Sequence, residues 1–362
     1  MKALTLNNIK IPKVFEQKYI PSLDGIRALA ITIVIISHLR INPTNPPFFA
    51  FFDTYIAAGS VGVQFFFVLS GFLITGLLLK EKVNKGKINL KNFYVRRILR
   101  IFPVFYVFII VLVLLKSFSI ITISSSSLIV GGFYLTNLIP TADSFYILHS
   151  WSLSVEEQFY IIWPLILTFF PKKYYWFILL VVIYNIILRP YLFFHPNLPP
   201  AFLLNGFFTL VPSILSGAVL AVILFKGWLK NIWGSNIIGN LSLPLALLAY
   251  LPRRFGMIPL YSLPFDYILS SIFIAIFINH EIHSNPDRLI YRLLNSTLAK
   301  QIGILSYSIY IWQQLFCTFI TSYHVNAWWA KYPLNIFITL VVSIISYYLI
   351  EKPILKLKAN FI

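Results

Sequence analysis

GSVGVQFFFVLSGFLITGLLL fills Gly59–Leu79 without one charged residue. A helix that crosses a bilayer needs about 20 mostly apolar residues. This run supplies them, and Lys80 closes it. The chain around it has the same character: of 362 residues, 59% are hydrophobic and 11% charged, and mean hydropathy is +0.81. Soluble domains average about 45–50% apolar and about 25% charged residues. No water-soluble core hides this much apolar surface, so lipid must cover the excess. The fold class is all-α, an integral membrane protein.

Working outward, segments of the same kind predict a polytopic bundle of about ten transmembrane helices: roughly 22–40, 56–79, 100–116, 152–170, 174–191, 203–225, 236–252, 263–280, 301–321 and 333–350. Ser242 and Pro244 interrupt the seventh. Leu128–Ile139 is short and contains Gly131-Gly132. It reads either as an interfacial or re-entrant helix or as a further span, and a full span would reverse everything after it. The N-terminal apolar run holds Arg27 and no cleavage site follows, so it reads as a retained first span rather than a signal peptide. Residues 1–362 are read as a single transmembrane domain with no attached soluble domain.

A net charge of +18 would suggest nucleic acid in a soluble chain. Here the basic residues sit between spans, so no nucleic-acid partner is expected. With ten spans, one side carries Lys80, Lys82, Lys85, Lys87, Lys91, Arg96, Arg97, Arg100, Lys172, Lys173, Arg288, Arg292 and Lys352–Lys358, and the other few, such as Arg40, Lys116 and Lys331. The positive-inside rule then predicts both termini in the cytoplasm. The single cysteine, Cys317, lies in an apolar run and reads as a buried, inert thiol.

Several polar motifs break the apolar pattern. The first span opens with Asp24 and Arg27, three apart, and ends at His38, eleven residues after Arg27. Eleven residues of helix rise about 16 Å over three turns, so Arg27 and His38 share nearly one face. Ionisable groups inside a span line a pathway or a site, or anchor the helix ends. Arg96, Arg97 and Arg100 stand at the mouth of the third span. Guanidinium forks bind phosphate bidentately, and the same residues would also suit lipid headgroups. HSWSLSVEEQFY (His149–Tyr160) places Glu156 four residues before Tyr160 at a helix start. Gly62, Ser70 and Gly71 permit close helix approach. His195, His280, His283 and His324 have no ligand-like spacing, so no metal site is expected.

Together these pieces resemble the acyltransferase-3 family of membrane O-acyltransferases. The matching stretches are LDGIRALA with His38, GSVGVQFFFVLSGFLIT, YVRRILRIFP, HSWSLSVEEQFYIIWP, LSYSIYIW and the closing IEKP, in family order over nearly the whole chain. Arg27 and His38 meet the family's pattern of a basic residue, ten residues, then histidine. Two departures stand out. Gln313 occupies a position where relatives commonly have histidine, and Pro212–Gly217 is apolar where relatives often carry an Arg and an Asp. The resemblance implies transfer of an acyl group, most simply acetyl, from cytoplasmic acyl-CoA to a hydroxyl of an envelope carbohydrate such as lipopolysaccharide O-antigen or exopolysaccharide. Acetyl-CoA would be a co-substrate, with no tightly bound cofactor, and the location would be the bacterial inner membrane. On this reading Arg96, Arg97 and Arg100 hold the donor phosphates, His38 is the general base, and Glu156 supports it, with His149 as the rival base. Asp24 and Arg27 line the channel or hold the helix. A transporter or flippase for an anionic solute is the alternative.

Overall fold

A computed structural model describes residues 9–17, 19–40, 45–56, 58–188, 190–191, 206–228, 236–249, 263–317 and 328–361. His195 and His324, the start of the expected 203–225 span, residue 189 of the expected 174–191 span, and the ends of the expected 236–252 and 301–321 spans lie outside them. The described residues are helical, with no strand. In chain order the α-helices of eight residues or more among the described residues are α1 (Leu23–Arg40), α2 (Pro47–Tyr55), α3 (Gly59–Lys85), α4 (Leu90–Ser117), α5 (Ser125–Gly132), α6 (Trp151–Phe169), α7 (Tyr174–Ile183), α8 (Phe207–Lys226), α9 (Asn236–Leu248), α10 (Leu263–Ile282), α11 (Thr297–Phe316) and α12 (Leu334–Ser346). A π-helical turn, Tyr347–Glu351, a short helix, Lys352–Leu357, and a 3-10 turn, Lys358–Phe361, follow α12.

Local chemistry sets several boundaries. Asn89 caps α4 by accepting from the Asn92 amide at 3.0 Å, and Ser124 caps α5 by accepting from the Ser127 amide at 3.0 Å. Gly227 ends α8 at φ 67°, a left-handed cap that glycine adopts without a Cβ clash. Helix α5 has only 8 residues, about 12 Å at the helical rise. Leu128–Ile139 is therefore no full span.

Four helical segments among the described residues are long and apolar enough to cross a membrane: Gly59–Lys85, Leu90–Ser117, Phe207–Lys226 and Leu334–Leu357. They support an all-α membrane protein, but they do not carry the expected count of ten. The reason is polarity and length. Helix α1 holds Asp24, Arg27 and Arg40, α6 holds Glu156 and Glu157, α11 is rich in Ser, Tyr and Gln, and α9 has only 13 residues. The most apolar window of α3 is 78% buried, that of α4 only 28%. A helix this apolar and this uncovered by protein needs lipid as its solvent.

The chain divides into two compact units. The first comprises Met1–Ile26, Val63–Ile88 and Val155–Lys300. In it, α3 and α8 cross at glycines: a Cβ on Gly71 would collide with the Ile214 carbonyl, and one on Gly217 with the Val68 carbonyl. Glycine is required there because backbone meets backbone. Phe15 packs over Gly76 between Phe72 and Phe225, and its carbonyl accepts from Lys80 Nζ. Ser22 is held by Asn295 on both its amide and its hydroxyl, at 3.0 and 2.8 Å. The second unit comprises Arg27–Gly62, Asn89–Ser154 and Gln301–Ile362. In it, a Cβ on Gly62 would lie 2.7 Å from the Ala30 carbonyl oxygen, so the start of α3 seats directly against α1.

Candidate active site

The second unit has polar groups at both ends of its stretch of α1. At the Arg27 end, Arg96, Arg97 and Arg100 project from α4 within four residues of one another. Arg97 lies over the Phe93 ring, 5.7 Å from its centroid. Arg100 Nη1 sits 3.1 Å from Glu351 Oε1, and the other oxygen of this buried carboxylate accepts from Ser308 at 2.9 Å. Arg96 Nη1 donates to the Phe361 carbonyl at 2.6 Å, tying the C-terminal turn to α4. That turn carries Lys358. Burial, then the charges of Arg97, Arg100, Arg96 and Arg27, push its ammonium down to about 8. Five cations thus gather around one corner of the unit. Such a concentration of like charge costs stability and attracts a polyanion.

The sequence reading placed Arg96, Arg97 and Arg100 correctly together. It missed Lys358, which counted only as one of several basic residues after the last span. Arg27 and His38 share α1 as expected, and Arg27 also acts on Lys358 together with the α4 arginines. IEKP gains a physical role: its glutamate fixes Arg100.

At the other end, His38 Nδ1 lies 3.0 Å from the Val34 carbonyl. A carbonyl only accepts, so Nδ1 carries the proton and Nε2 keeps its lone pair. At the last residue of α1, Arg40 pairs with the buried Asp53 at 3.0 Å, and Asp53 also accepts from the Gly59 amide at 3.2 Å. Nothing in the sequence flagged Asp53. It fixes the far end of α1 relative to the start of α3.

His149 belongs to the same unit. It sits in the 3-10 turn Phe145–Ser150 and is 3% exposed. Its ring meets Phe108 edge-on at 5.5 Å and Tyr310 at 5.6 Å. Tyr310 donates to the His149 carbonyl at 2.9 Å, and Gln314 donates to the Phe145 carbonyl at 2.8 Å, so α11 clamps the turn. Burial, then His38, push the His149 imidazole down to about 3, so it is neutral. The effect of His38 on His149 puts the two imidazoles within electrostatic reach.

Glu156 is described within the first unit. Its carboxylate accepts from Ser70 at 3.0 Å and from Tyr160 at 3.2 Å, and Tyr160 also donates to Ser70 at 2.9 Å. The four-residue spacing of Glu156 and Tyr160 does bring acid and phenol together. Ser70, read from sequence chiefly as a packing residue, is a hydrogen-bonding one. Asp24 lies at the anchored start of α1, where a Cβ on its neighbour Gly25 would collide with the Leu294 carbonyl. Cys317 is fully buried beside Thr339, 3.3 Å from its hydroxyl, as an inert thiol would be.

Comparison with known proteins adds an independent line. The chain is 32% identical over 94% of its length to a Staphylococcus aureus (strain COL) protein named provisionally as an O-acetyltransferase. It is 30% identical to the peptidoglycan O-acetyltransferase OatA of Listeria monocytogenes, over 94% of this chain, and 30% identical to the O-acetyltransferase OatA of Staphylococcus aureus, over 96%. The matched part makes up 58%, 57% and 59% of those relatives, respectively, so the chain spans little more than half their length. No solved structure matches it. The acyltransferase domain of the acyltransferase-3 family matches residues 20–348, and the chain belongs to that family.

Proposed function

We propose that the protein transfers an acyl group, most simply acetyl, from acyl-CoA to a hydroxyl of an envelope carbohydrate polymer. The observation that carries this reading is the division of labour along α1. Arg27, one of five clustered cations, stands eleven helical residues, about 16 Å, from a histidine with an available lone pair. Coenzyme A is a polyanion at one end and a thioester at the other, joined by a thin arm. Its phosphates suit Arg27, Arg96, Arg97, Arg100 and Lys358, and its arm suits the length of α1.

In the proposed reaction His38 Nε2 takes the proton of the acceptor hydroxyl as the oxygen attacks the thioester carbonyl. A tetrahedral intermediate forms, the C–S bond breaks, and coenzyme A leaves as the thiol once the proton reaches sulfur. A general base contributes about 10²–10⁴ in rate. Glu156 keeps its proposed catalytic role, its carboxylate oriented by Ser70 and Tyr160, and Asp24 its role at the anchored start of α1. The names of the relatives support an envelope glycan as acceptor; O-antigen, exopolysaccharide and peptidoglycan are its candidate forms. The loop charges support cytoplasmic termini, with the cationic corner facing the compartment that makes acyl-CoA.

The test is release of coenzyme A thiol by purified protein given acetyl-CoA and envelope oligosaccharides. Thiol release that depends on the oligosaccharide is expected. No release, with uptake of an anionic solute by reconstituted vesicles, would make the protein a transporter. Orientation is checked separately by cysteines placed at Lys85 and Asn45, which should label from opposite sides with an impermeant reagent.

A further inference from the structure

Helix α11 carries an unusual density of polar side chains for an apolar protein, and most are satisfied. Tyr307 donates to the Ile101 carbonyl at 2.6 Å, Ser308 to Glu351 at 2.9 Å, Tyr310 to the His149 carbonyl at 2.9 Å and Gln314 to the Phe145 carbonyl at 2.8 Å. Between them, two adjacent residues break the pattern. Trp312 is 5% exposed and Gln313 fully buried, yet the indole N–H and both amide atoms have no hydrogen-bond partner among the described residues. Leaving a buried donor unpaired costs about 1–3 kcal/mol. Such groups persist where something outside the resting protein satisfies them.

Their surroundings identify that something. Trp312 meets the Phe108 ring edge-on at 5.5 Å, and the His149 ring packs on the same Phe108, also at 5.5 Å. The His149 ring takes a backbone hydrogen bond with Ile311, the residue before Trp312, which ties it to this stretch of α11. The Trp312 indole, which shares Phe108 with His149, is therefore an unpaired donor in a buried setting, with the unpaired Gln313 amide next in sequence. Phe108, Trp312, Gln313 and His149 are neutral, unlike the arginine corner, and the charge at this end of α1 includes the Arg40–Asp53 ion pair. Fixed neutral donors in a water-poor site suit an oxygen that gains negative charge only during reaction.

Resting on the acyl-transfer reading above, we propose that Trp312 Nε1–H and the Gln313 amide, beside His149, form the subsite that receives the thioester carbonyl oxygen and stabilises its oxyanion. As the acceptor oxygen attacks, the carbonyl π electrons move onto that oxygen and the two donors hold it. When the C–S bond breaks the electrons return, and the donors are left unpaired again.

The test uses Trp312→Phe and Gln313→Leu in the full chain, with thiol release and thermal unfolding measured together. Each variant removes a donor and keeps bulk. Each is expected to lower kcat on the order of 10²-fold, with KM for acyl-CoA unchanged. Because an orphaned buried group disappears, Tm should hold or rise. A structural role gives the opposite pairing: kcat falling only with Tm would overturn the proposal. Wild-type kcat in both variants, while wild-type protein releases thiol, would overturn this subsite alone. Absence of thiol release by the wild type would overturn the acyl-transfer reading as well.

Discussion

The two ends of α1 in the second unit solve opposite electrostatic problems. At the Arg27 end, formal charge is concentrated: four arginines and a lysine beside Glu351. At the His38 end, charge is paired rather than concentrated. His149 is kept neutral by burial, His38 is held in one tautomer by a backbone carbonyl, and Arg40 is paired away with Asp53. A permanently charged ligand group needs fixed counter-charge. A reacting centre whose charge is transient needs oriented dipoles and a base with a vacant lone pair. The contrast predicts that substitutions at one end act on donor affinity and at the other on turnover.

The largest effect tests the turnover end. His38→Ala should lower kcat for acyl transfer by about 10²–10⁴-fold, while acyl-CoA binding, measured by equilibrium titration, stays within twofold or so of wild type. Loss of donor binding with kcat intact would invert the assignment of the two ends.

The affinity end comes next. Arg97→Ala should raise KM for acyl-CoA by roughly 10- to 100-fold, the value of a charge-assisted phosphate contact of about 1.5–3 kcal/mol, at nearly constant kcat. Arg100→Ala should do the same and also lower Tm, because it strands the buried Glu351 carboxylate. The sequence makes these two arginines look equivalent. If both variants lose stability equally, or neither changes KM, the corner is a structural or lipid anchor.

The smallest effect sharpens the comparison by pH. Lys358 titrates near 8, below its ordinary value, chiefly through burial. As pH rises through that value it loses its charge, so KM for acyl-CoA should climb severalfold between pH 7 and 9. Stability should move the other way. The unfolded chain holds this proton to higher pH than the folded one, so the folded state gains as pH passes from about 8 towards the unfolded value. Lys358→Arg should flatten the KM profile. A slope that persists in this variant belongs to another group.

Some of this was legible in residue spacing. Groups fixed to one helix keep their geometry wherever that helix packs. Arg96, Arg97 and Arg100 had to cluster, Glu156 and Tyr160 had to meet one turn apart, and Arg27 and His38 had to stand about three turns apart. The count of spans was less legible. Hydropathy treats Asp24, Glu156 or Gln313 as a penalty, although a helix can bury such groups against protein rather than lipid. Helix α5 shows the same limit, because only the first five residues of the apolar-looking run Leu128–Ile139 are helical, at the end of a helix that starts at Ser125.

The sequence by itself determined that this is an all-α membrane protein of the acyltransferase-3 kind, because composition and local motifs need no knowledge of which segments touch. Only the tertiary structure decided which long-range partners complete them. It brought Lys358 to arginines more than 250 residues away, gave Arg100 to Glu351, and set Asp53 against Arg40. It also left Trp312 and Gln313 unpaired on a helix where Tyr307, Ser308, Tyr310 and Gln314 find distant partners. The physical reason is range. Helical periodicity fixes neighbours within a turn or two, whereas a buried hydrogen bond or ion pair is settled by whichever element packing delivers, and that choice is a property of the whole fold.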